Sequence, residues 1–105
     1  MKKVIRTYEV ENVSGVARFL NNANMIFEFA KDPKVDAADA IIDMKNAIQR
    51  ADLANDEKAA VAMVVNGGAF LEGEEKRAFF NACAKIAAVF AADGYGPMRI
   101  MRYAR

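Results

Sequence analysis

Along most of the chain, apolar residues recur every three or four positions, the spacing that lays a stripe along one side of a helix. The first stripe is Val16, Phe19, Leu20, Ala23, Phe27 and Ala30. With Asn12 or Ser14 as N-cap, it predicts one helix ending at Asp32-Pro33, since a proline disfavours helical geometry in the residue before it. A second stripe, Ala37, Ala40, Ile41, Met44, Ile48 and Ala51, predicts a helix from near Asp36 to about Leu53. Asn55-Asp56-Glu57 opens a third, with acids in the first turn where the helix dipole favours them. From Ala59 to Val65 this helix has no polar residue, which predicts that it is the buried centre of the fold. Asn66-Gly67-Gly68 ends it. Phe79, Cys83, Ile86 and Phe90 mark a fourth helix, from about Glu74 to Ala92.

The two ends of the chain break this pattern. Residues 3–10 (KVIRTYEV) and 98–103 (MRIMRY) are rich in β-branched, aromatic and other large apolar residues and predict strands. Alternation in the first is imperfect, because Arg6 falls on the same side as Val4 and Tyr8. A lone two-stranded ribbon is marginal in water, so it must pack on the helices or on a second copy. The expected fold is mainly α (α+β): about four helices around a buried central helix, with a short antiparallel ribbon formed by the termini, in one compact domain over residues 1–105.

Composition adds limits. The 105 residues can bury a core without metal or disulfide staples. A single cysteine excludes an internal disulfide, no apolar leader follows Met1-Lys2-Lys3, and no apolar run approaches the ~20 residues of a membrane span. A cytoplasmic protein away from membranes is the expectation.

Catalytic chemistry is sparse. The chain has no histidine, and its hydroxyl and thiol nucleophiles, tyrosines aside, are Thr7, Ser14 and Cys83. Cys83 lies on an apolar stripe, where a thiol behaves as a small hydrophobe. Asp36, Asp39 and Asp43 share a helical face but read better as a solvated face with an N-cap than as a cation site. The glycine pairs do not sit between a strand and a helix, as a phosphate-binding turn requires. No enzyme, cofactor or metal is expected.

Three features bear on binding. The first ten residues hold three bases against one acid, and the last ten hold three arginines and no acid. Paired terminal strands would bring Lys2, Lys3, Arg6, Arg99, Arg102 and Arg105 together beside Tyr8 and Tyr103, a pattern that suits nucleic acid but also suits protection of strand edges. Phe70 and Leu71, in a connection bounded by glycines, would form a sticky tip if exposed. The first helix has more apolar surface than one neighbour can cover, so Met25 and Phe29, rimmed by Asn21 and Asn22, are candidates for contact with another chain. The leading expectation is a small non-catalytic protein-interaction module, a homodimer, that docks on another macromolecule to inhibit, adapt or assemble it, in the manner of phage accessory proteins. The alternative is a nucleic-acid-binding accessory protein that uses the basic terminal strands.

Overall fold

The computed structural model describes residues 1–67 and 71–103. The elements run β1 (Lys2–Tyr8), α1 (Val13–Asn21), α2 (Ala23–Lys31), β2 (Val35–Asp36), α3 (Ala38–Arg50), α4 (Asn55–Val65), α5 (Gly73–Ala92) and β3 (Met98–Tyr103). The fold is mainly helical with a small antiparallel sheet, the α+β class that the apolar pattern predicts.

The centre of the molecule is α5. Ala78, Phe79, Ala82, Cys83, Ile86, Ala87 and Phe90 are all buried, and the helix packs on α1, α3 and α4. The apolar run of α4 is not the buried centre predicted for it: Ala59 and Ala62 are exposed, while Ala60, Val61 and Val64 face inward. Alanine tolerates either environment, so an alanine-rich run carries less information about burial than a leucine- or valine-rich one.

The predicted first helix is two. Asn22 leaves helical geometry (φ −96°, ψ 9°), and its side chain donates to the hydroxyl of Tyr8 at 2.9 Å. The chain turns there, so that α2 can meet both α3 and β2. Asn12 occupies the N-cap position of α1, and Ser14 lies exposed in the first turn. Asp36 is not a helix cap but the second residue of β2; the position before α3 is Ala37, fully buried.

β1 pairs antiparallel with β3, and β3 with β2, giving the order β1-β3-β2. The ribbon predicted for the termini thus gains a third, two-residue strand that shields one side of β3. Ile5 is an extra residue between the pairs Val4↔Met101 and Arg6↔Ile100. This bulge explains the imperfect alternation of the sequence: beyond it the faces of β1 exchange, so Val4 and Arg6 do not share one. Tyr8, Met98 and Ile100 point at the helices and are buried.

Candidate interaction surface

Residues directly opposite in an antiparallel pair share a face of the sheet. Lys2 with Tyr103, Val4 with Met101, and Thr7 with Arg99 therefore lie on the side away from the helices, joined by Asp36 of β2. Among the described residues, no helix covers this side. Val4 is 42 % exposed and Tyr103 44 %. The Lys2 ammonium sits 4.9 Å from the centre of the Tyr103 ring and 4.0 Å from the Asp36 carboxylate. The result is an apolar strip, Val4, Met101 and Tyr103, between cationic residues.

The other basic residues of the strands lie on the helix side of the sheet or at its rim. Lys3 is opposite Arg102, whose guanidinium is 3.9 Å from Asp32. Arg6 reaches back to the carbonyl of Ile5 and the sulfur of Met25. The bases expected to converge are thus close in sequence register but divided between the two faces, and two of them are partly offset by carboxylates. Arg105 lies outside the described residues. Tyr8, grouped with Tyr103 from sequence, is fully buried, edge-on to Phe19 and beneath Arg18, and cannot stack on a base.

The remaining interface candidates scatter. Met25 and Phe29 are half-buried, Phe29 against the core. The Asn21 amide donates to the carbonyl of Ala17, and that of Asn22 to Tyr8. Leu71 folds back on the core, and Phe70 lies outside the described residues. Sequence reasoning missed several exposed apolar residues, among them Val4, Val13, Phe80, Phe27 (36 % exposed) and Ile42 (53 %). The signal for Ile42 was present, since it falls off the stripe of α3 that carries Ile41 and Met44.

Two polar clamps brace the helices beneath these surfaces. Arg50 donates to both carboxylate oxygens of Asp93, at 2.6 and 3.1 Å, tying α3 to the turn after α5. The hydrogen bonds from Arg50 hold Asp93 below the usual carboxylate range. Glu57, buried at 5 % exposure, accepts from Lys85 of α5 at 2.7 Å and from the backbone N–H of Ala54 at 2.8 Å, and both lower its pKa. Tyr95 donates to Asp43 at 2.5 Å; burial first, then that bond, raises its phenol above the ordinary value. Asp43 is thereby engaged and Asp36 lies on a strand, so the three aspartates do not form one site. Among the described residues, no group of three potential ligands could hold a metal ion. The Cys83 thiol is fully buried, and that burial pushes it up to about 12. No helix among the described residues is long and apolar enough to cross a membrane. The chain matches no family model, and no curated protein or solved structure is significantly similar to it.

Proposed function

We propose that this chain is a small non-catalytic protein-interaction module, which docks on another protein through the open face of its sheet. The observation that carries the reading is the strip of Val4, Met101 and Tyr103, uncovered by any described helix and flanked by Lys2 and Arg99. Apolar residues in a cationic setting fit a partner surface with apolar residues inside an acidic rim. The same strands carry Lys2, Lys3, Arg6, Arg99 and Arg102 against Asp32 and Asp36 nearby, a net positive balance that such a partner would complement. The poor inventory of nucleophiles and bases in the sequence supports a role without catalysis, and a single cysteine suits the cytoplasm. Inhibiting, adapting or assembling a larger complex are all forms of such docking.

Nucleic acid is the second reading, favoured by Lys2 over the exposed Tyr103 ring with Arg99 on the same face. It is weakened because Tyr103 is the one exposed aromatic ring among the described residues of that face, and by the Asp36 carboxylate there, which phosphates would meet. Capture from the native host with the wild type and with Val4→Glu/Tyr103→Glu tests the leading reading. A protein held by the wild type, resistant to nuclease and lost with a still-folded double variant is the expected result. Equal retention by both chains, or retention abolished by nuclease, contradicts it.

A further inference from the structure

A second surface differs from the sheet in charge. Between α2 and α3 lies a slot of about 100 Å³, walled by apolar side chains, with Leu20, Met44 and Val65 among its lining and the exposed Phe27 and the Lys45 stem also bordering it. Ile42 stands on the neighbouring shoulder of α3, more than half exposed. Ile42, the exposed Phe27 and the apolar slot together form an apolar surface of the kind that two copies can cover.

The charges around it identify the occupant. The exposed acids of this face are Glu28 and Asp39, and its bases are Lys31 and Lys45, so it is balanced. A second copy of the sheet face would meet its own excess of cations, whereas a second copy of this face would not. Asp39 and Lys45 lie three residues on either side of Ile42. An antiparallel crossing of two α3 helices centred on Ile42 brings Asp39 of each copy level with Lys45 of the other.

We propose that the α2–α3 face is a self-docking surface, on which two copies of this chain pair about a twofold axis near Ile42, with Phe27 and the slot covered at the flanks. The pairing does not depend on the docking function of the sheet. At ~1.5 Å per residue and ~10 Å width, the two helix faces offer a footprint of roughly 350 Å². A standard stable interface takes ~800 Å² per partner. The footprint is under half of that, so the pairing is weak and depends on protein concentration.

Sedimentation analysis from low micromolar to submillimolar concentration tests this. The wild-type mass is expected to rise from 11.5 kDa toward twice that value. Ile42→Glu should remain monomeric with unchanged helicity, and Tyr103→Glu, on the sheet, should dimerise as the wild type does. Asp39→Lys should weaken pairing several-fold, and adding Lys45→Asp should restore it. A wild type that stays monomeric throughout overturns the proposal, as does an Ile42→Glu variant that still dimerises. If Ile42→Glu loses its fold, the charge exchange decides: no effect of Asp39→Lys, or no rescue by the double exchange, overturns it.

Discussion

Gly15 admits no side chain. A Cβ built there would lie 1.9 Å from the carbonyl oxygen of Glu9 and 2.3 Å from its carbon. Both are backbone atoms just past the end of β1, so no rotamer change relieves the clash. The absent side chain lets α1 approach the end of β1 closely, where Tyr8 packs edge-on against Phe19 of α1 and both Tyr8 and Val16 are fully buried. Gly15→Ala must push the helix away, and overpacking of this kind costs on the order of 3 kcal/mol. At about 4–8 °C per kcal/mol for a domain of this size, melting should fall by more than 10 °C. Thermal unfolding followed by circular dichroism checks it, and a melting point within a few degrees of the wild type would contradict the packing described. From sequence, Gly15 reads only as a neighbour of a cap; nothing in one chain announces a contact with a residue six positions earlier.

At the scale of elements, legibility followed side-chain size. The stripe of α5 predicted its burial correctly, because Phe79, Ile86 and Phe90 have large apolar surfaces that must go inside. The run in α4 misled because its alanines have little to gain from burial. The break between α1 and α2 was hidden by continuous apolar spacing, although Asn21, Asn22 and Asn24 marked a stretch of poor helix formers across it. β2 is too short to be read, since two residues hold no period. Long-range polar clamps are also invisible in sequence, yet they should set the acid stability of the packing. Asp93 and Glu57 titrate below their unfolded values, so the stability they contribute is complete above the ordinary carboxylate range of about 4 and is lost as pH falls through their lowered native values. The wild-type melting temperature should therefore hold near neutrality and drop below about pH 4. Asp93→Asn/Glu57→Gln should start lower and fall less steeply. Parallel pH profiles for the two proteins would show that the clamps contribute nothing.

The molecule is thin, 47 × 29 × 19 Å, and among the described residues the helices lie on one side of the sheet and none covers the other. The sheet face and the α2–α3 face differ in charge, and on that difference the cationic face is proposed to take an acidic protein and the balanced helical face a second copy. The pairing of the chain-end strands was legible in sequence, but the distribution of their bases between the two faces was not. It depends on the bulge at Ile5 and on Asp32 and Asp36, brought beside β3 by a strand too short to foresee. The divided faces and these carboxylates are also why a protein partner is proposed ahead of nucleic acid, which needs its bases aligned on one surface. Fluorescence anisotropy of labelled single- and double-stranded DNA and RNA, at low and at physiological salt, tests that separation most directly. No binding of micromolar strength is expected at either salt; salt-sensitive binding at that strength, weakened by Arg99→Ala/Arg102→Ala, would contradict the account and assign the sheet to nucleic acid.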